Sequence, residues 1–251
     1  WGTKALGLIN TLVMARILMP SDYGVVAMGS VVAGLIHALL DFGAETALLR
    51  KAQVDDDDIN SVWTIRLFQG ILIGSLLMLL SPVVGLYFSE PRVIVVLLVF
   101  GACVMVTGAT NIGLTLASKS YNYVIEFKVS IFSSVIRIII TIAGGLVFGD
   151  YRALIIGIVV GDLSKVALSY FMHPYRPHWN TRKVREIWAV TKWLMLSNAG
   201  YFFVRRADEL IGGRIAESPT QFGAYTVGSD LGQLPTSEVG PAMQRAVLPL
   251  I

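Results

Sequence analysis

The sequence predicts an all-α, polytopic membrane protein, and three observations carry that prediction. Five segments, Gly24 to Leu49, Val62 to Phe88, Val93 to Ala117, Val124 to Phe148 and Ala153 to Met172, each hold roughly twenty or more mainly apolar residues, enough to cross a hydrocarbon core. The chain is 55% hydrophobic and only 15% charged, whereas soluble domains carry about a quarter charged residues. Between the segments lie short charged or turn-rich loops. At 251 residues, with helix and loop taking about thirty residues each, there is room for about eight spans.

In chain order, the first apolar stretch, Ala5 to Met19, is short for a span and reads as the end of one. The chain opens on Trp1 and stops at Leu250-Ile251 inside another apolar pattern, so a piece of a longer protein is expected. Met19 to Gly24 is a turn, with Ser21 or Asp22 placed to cap the next helix. Asp55 to Asp58 lacks the alternating ligands of a calcium loop and suits a solvated helix start, where acids complement the macrodipole. His173 to Glu186, with two prolines and a basic tail, reads as a linker after six spans. The apolar pattern resumes at Ile187 and runs to about Gly212. From Phe222 onward Gly228, Gly232, Pro235, Gly240 and Pro241 imply a kinked or broken helix. The division expected is a first lobe over 1–172, a linker over 173–186, and the start of a second lobe over 187–251.

Lys and Arg are retained in cytoplasmic loops. One set of alternate loops holds eight basic residues (Arg50, Lys51, Lys119, Lys128, Arg176, Arg182, Lys183, Arg185) and the other four (Arg16, Arg92, Arg152, Arg214). The richer set, with the linker, is expected to be cytoplasmic.

Polar groups at membrane depth are the candidate site residues. Arg137 lies about 14 Å above Lys128 by helical rise, near the bilayer midplane, where a charge requires a partner or a wet cavity. Two readings stand: a bidentate contact for an anionic substrate, or an ion pair with an acid on another helix. His37, Asp41 and Glu45 recur every four residues and would share one helical face, lining a cavity, relaying protons or forming an interhelical network. Asp162 and Lys165 are spaced to neutralise each other, with Lys165 retained as a candidate. Arg205, Arg206, Asp208 and Glu209 fall late in the seventh span. Arg66 sits where snorkelling suffices.

Cys103 is the single cysteine, which excludes disulfides and thiolate metal clusters within these residues. The three His are not spaced as ligands of one metal, no hydrolase or nucleotide-binding motif occurs, and no cofactor is called for. A formal charge of +3 without a basic-aromatic tract gives no sign of nucleic acid as a partner. Neither a hydrolytic nor a metal constellation is present, so transport is expected rather than catalysis.

Several strings carry a resemblance. ARILMPSDYGVVAM and LLDFGAETALLRK, then DDINSVWTIRL, SPVVGLYFSEPRV, IEFK, GDYRALIIGIVVGDL and YRPHW, and finally DELIGG and FGAYTVGSDLGQLP, occur in an order that resembles the bacterial polysaccharide-transporter (oligosaccharide flippase) family. SKSYNY, at 118–123, departs from it by lacking an expected arginine. The resemblance implies twelve to fourteen helices in two lobes around a central cavity, in the bacterial inner membrane. It implies export of polyprenyl-diphosphate-linked glycan by alternating access, in contact with membrane lipids and with polysaccharide polymerase or ligase machinery. The competing expectations are a multidrug extrusion carrier of the same superfamily and a non-transporting scaffold of a polysaccharide-assembly complex.

Overall fold

The computed structural model describes residues 2–51, 53–216, 218–229 and 232, and the described residues are helical, with no strand among them. The helices are α1 (Gly2–Ile17), α2 (Pro20–Leu40), α3 (Ala44–Arg50), α4 (Asp56–Tyr87), α5 (Arg92–Gly108), α6 (Gly113–Lys119), α7 (Tyr123–Phe148), α8 (Arg152–Met172) and α9 (Val184–Ile215), with a further helical stretch over 219–229. By length and apolarity α2, α4, α7 and α8 can each cross a membrane, and the bent pair α5 and α6 is long and apolar enough for a fifth crossing if the two act as one span. Leu86, Phe171 and Val204 are each at least 80% exposed. Side chains this apolar on the outside fit lipid rather than water.

Two expected spans are broken, for reasons visible in the side chains. The first is interrupted at Asp41. Its carboxylate accepts the Gly43 N–H at 3.0 Å, and Gly43 takes a left-handed φ of 59°, a conformation open to a residue without Cβ. Glu45 therefore starts α3, and the single face expected for His37, Asp41 and Glu45 does not exist. The second break, between α5 and α6, bends the chain by 62°. Asn111, fully buried, supports it: its side chain accepts the Gly113 N–H at 2.8 Å and donates to the Tyr175 carbonyl at 2.8 Å. Polar backbone freed inside a membrane must find such partners.

Helix pairs α4/α5 and α7/α8 carry the most extensive helix contacts, and small residues let them approach. Gly70 and Gly74 on α4, and Gly157 and Gly161 on α8, are four apart and so share a face. A Cβ on Gly101 of α5 would stand 2.7 Å from the Gly74 carbonyl oxygen.

The loops expected to share a side do meet at one end. The acidic run is more than a solvated helix start. Asp55 and Asp58 form a reciprocal capping box on α4, and the same carboxylates hold the linker. Lys51 reaches Asp58 at 2.7 Å and Lys183 reaches it at 3.2 Å. Asn180 donates to Asp57 at 2.6 Å, and the buried Asn60 accepts the His178 N–H at 3.0 Å. The Lys183 ammonium and the Asp58 N–H together pull the Asp55 carboxyl down to about 2. At the opposite end Asp22 does not cap α2. It accepts the Tyr151 N–H at 3.2 Å, Arg92 lies over the Tyr151 ring and Arg214 over the Tyr87 ring.

The α4/α5 contact predicts that Gly101→Ala lowers stability by about 1–3 kcal/mol through overpacking. Gly200→Ala, with nothing near its Cβ, should be neutral or mildly stabilising; melting of the detergent-solubilised protein compares them. A second prediction concerns His173, whose Nδ1 accepts the Tyr175 N–H at 3.2 Å. Burial first, and then the Arg176 charge, lower its pKa below the ordinary 6.5. Its contribution is therefore complete above about pH 6.5 and fades as pH falls through the folded value. Chymotryptic cleavage after Trp179 in the same linker, normalised to the denatured chain, should rise between about pH 7 and about pH 5. His173→Asn, which accepts the same N–H without titrating, should flatten the change.

Candidate functional site

Arg137 is carried by α7 at a depth where an unaccompanied charge is costly. The structure supplies both features that the sequence left as alternatives. Nη2 donates to Asp162 Oδ1 on α8 at 2.6 Å, and the Arg137 side chain remains 42% exposed toward a cavity of about 620 Å³. Asp162 thus makes its close ion pair with Arg137 across the helix interface, while the charge of Lys165 on its own helix acts on it from farther away. The guanidinium lies along α8 because Gly161 leaves room; a Cβ there would come within 2.6 Å of Arg137 Nε. Nε itself is buried without a hydrogen-bond partner among the described residues. Thr141 Oγ1 donates to the Arg137 carbonyl at 2.8 Å, tying the backbone of that turn.

The cavity is walled by α1, α2, α7, α8, α9 and the 219–229 helix, with Asn10, Ser30, Arg137 and the buried Glu209 among its lining. It therefore lies between the helices of the first lobe and those that follow the linker. Asn10 Oδ1 is a second buried polar atom on its wall without a hydrogen-bond partner among the described residues. A guanidinium has five N–H groups in a fork, and Asp162 engages one nitrogen. The remaining donors can address an anion such as a phosphate bidentately.

A second cavity, about 530 Å³, is enclosed by first-lobe helices and contains His37 and Lys165. Arg66 does not merely snorkel: it pairs with Glu45 at 2.6 Å on this wall. Lys165 makes no hydrogen bond or ion pair among the described residues. Asp41 lines neither cavity; it closes α2 and accepts from Asn198 Nδ2 of α9 at 2.9 Å. Asp208 accepts the Tyr225 hydroxyl at 2.6 Å. The side chains of Arg205 and Arg206 lie outside the described residues. The candidates thus separate: Arg137 in the central cavity, His37 and Lys165 inside the first lobe, Asp41 and Asp208 at helix contacts. Asn10 and Glu209 were not singled out as cavity residues from sequence. Glu209 sits in sequence among the charges late in the seventh span, and a lone Asn in a short apolar segment gives little signal.

A family model described as polysaccharide biosynthesis protein matches residues 13–251. A Klebsiella pneumoniae protein described as an uncharacterized membrane protein in the cps region is 20% identical over 251 residues, covering 98% of this chain and 52% of its own length. The lipopolysaccharide biosynthesis protein WzxC of Escherichia coli K12 is 24% identical over 86 residues, 34% of this chain and 18% of its own length. The chain spans about half the length of the first of these relatives and less of the second. No solved structure matches.

Proposed function

We propose, from the premise that this membrane protein belongs to the polysaccharide biosynthesis protein family, that it forms part of a flippase for a lipid-linked glycan. The carrier sits in the bacterial inner membrane and works by alternating access of two lobes, residues 1–172 and the lobe that begins at 187, joined by 173–186. Its cargo is a polyprenyl-diphosphate-linked oligosaccharide, whose head group crosses in the central cavity while its tail stays in lipid. The linker side is cytoplasmic. The chain acts as a carrier and not as an enzyme.

The observation that carries this reading is Arg137, partly exposed to a cavity between the two sets of helices. A cavity of this size falls within the range of small-ligand sites, and a guanidinium fork suits diphosphate oxygens. The printed names of the relatives, lipopolysaccharide biosynthesis and the cps region, support a glycan as cargo. One observation favours a second reading, an organic-cation carrier: Glu209 lines the same cavity and Asp162 offsets the charge of Arg137.

The full-length protein tests this by complementing a strain deficient in surface polysaccharide. Arg137→Gln strands Asp162 and should cost about 1–3 kcal/mol of stability. The double variant Arg137→Gln/Asp162→Asn should recover that stability. Its export should still fall by about tenfold or more, the loss expected when a charge-assisted contact of about 1.5–3 kcal/mol is removed. Wild-type export from the stable double variant would refute the diphosphate role. Efflux of organic cations retained by that variant would favour the second reading.

A further inference from the structure

The helices starting at Pro20 and Pro219 open on the same pattern. Pro20-Ser21-Asp22-Tyr23-Gly24 matches Pro219-Thr220-Gln221-Phe222-Gly223, and each follows an Arg-Ile pair, Arg16-Ile17 and Arg214-Ile215, at the end of the preceding helix. Pro20 stands at the first helical position of α2, where a missing N–H costs nothing. Pro219 likewise begins its helix. The pattern is therefore an internal repeat of a helix–turn–helix, once in each lobe.

In space the two copies meet each other. A Cβ on Gly24 would collide with the Pro219 carbonyl oxygen and lie 3.1 Å from the Gly223 nitrogen. One on Gly223 would collide with the Pro20 carbonyl oxygen and lie 2.7 Å from the Gly24 nitrogen. Each glycine thus faces the other's proline carbonyl, the reciprocity of a two-fold contact. The aromatic residues behave in parallel, each docking on the helix before its own turn. The Tyr23 hydroxyl donates to the Thr11 carbonyl of α1 at 3.3 Å. Phe222, 1% exposed, packs against Gly213 of α9.

This contact lies at the end remote from the linker, beside Tyr151, whose N–H Asp22 accepts. Tyr23, immediately before Gly24, and Thr226, three residues after Gly223, already line the central cavity that holds Arg137. We propose that the paired Pro-[Ser/Thr]-x-aromatic-Gly turns are the gate that seals the linker-distal mouth of that cavity. The two glycines set its closest approach. Backbone packed on backbone through glycine gives tight closure from weak individual contacts, so the seal can part without breaking an ion pair. The linker end differs, being held by the Asp57 and Asp58 contacts.

The inference rests on the two-sided access that transport requires, and labelling tests it without any cargo. In a full-length chain otherwise free of cysteine, Ser30→Cys places a thiol on the cavity wall. A membrane-impermeant maleimide is applied to right-side-out and inside-out vesicles. From the linker-distal side, labelling should be slow in the parent. Gly24→Ala and Gly223→Ala should each speed it by about tenfold or more, because the added methyl group overpacks the closed contact. Gly228→Ala, with open space around its Cβ, should leave it slow. Unchanged labelling in folded Gly24→Ala and Gly223→Ala chains overturns the gate. If both fail to fold, the parent decides: linker-distal labelling as fast as that of Glu90→Cys in the loop overturns it, and slow labelling supports it. Sided labelling in a chain that exports no glycan keeps the gate and overturns only the assigned cargo.

Discussion

Everything in this molecule is arranged around one constraint: a polar group inside a bilayer must be satisfied by the protein itself. The constraint explains where the helices break. At Asp41–Gly43 a carboxylate and a left-handed glycine close α2. At Asn111 a fully buried amide accepts from one side of the bend and donates to the linker. It also explains why Arg137 is neither bare nor lost in an apolar wall. Its partner, Asp162, comes from the neighbouring helix, and the close α7/α8 approach that brings them together depends on Gly157 and Gly161 having no side chains.

The two ends of the bundle are built from different forces. At the linker end the acidic start of α4 gathers Lys51, Asn180 and Lys183, and Asn60 and Asn111 bind the linker backbone. Residues up to Lys183 are therefore attached to the helices before the linker. At the other end the helices before and after the linker meet through glycine and proline backbone, through Phe88 against Gly213, and through Arg214 over the Tyr87 ring. Ion pairs gather at the linker end, while close backbone packing and cation–ring contacts hold the other. An asymmetry of this kind suits a structure in which one end must open while the linker stays docked.

Much of this was legible in the sequence. Apolar run length located the spans, and the alternating loops do gather at common ends. The depth of Arg137 marked it as exceptional, and the family resemblance follows the order of the loop strings. The misses share a cause. Helix breaks inside apolar runs are made by one or two polar residues, and Asp41-Phe42-Gly43 and Asn111-Ile112-Gly113 were absorbed into long hydrophobic averages. Partner choice could not be read either. Lys165 is the nearer neighbour of Asp162 along α8, but the glycine face of α8 brings Arg137 to it from α7. The repeated Pro-to-Gly turns were present in plain letters, yet only their meeting in space gives the repeat a consequence.

That pairing bears on what Arg137 can do. A free guanidinium at membrane depth would remain unsolvated whenever the cavity is empty, and its cost would oppose folding. A guanidinium fully buried against an acid would be satisfied but useless to a ligand. With one nitrogen on Asp162 and the side chain still partly exposed, the group is stabilised when alone and retains donors for an incoming anion. The attraction is weaker than a bare charge would give, so an anion drawn to this site can also leave it. An ion-paired arginine is thus better suited to releasing an anion than to storing one.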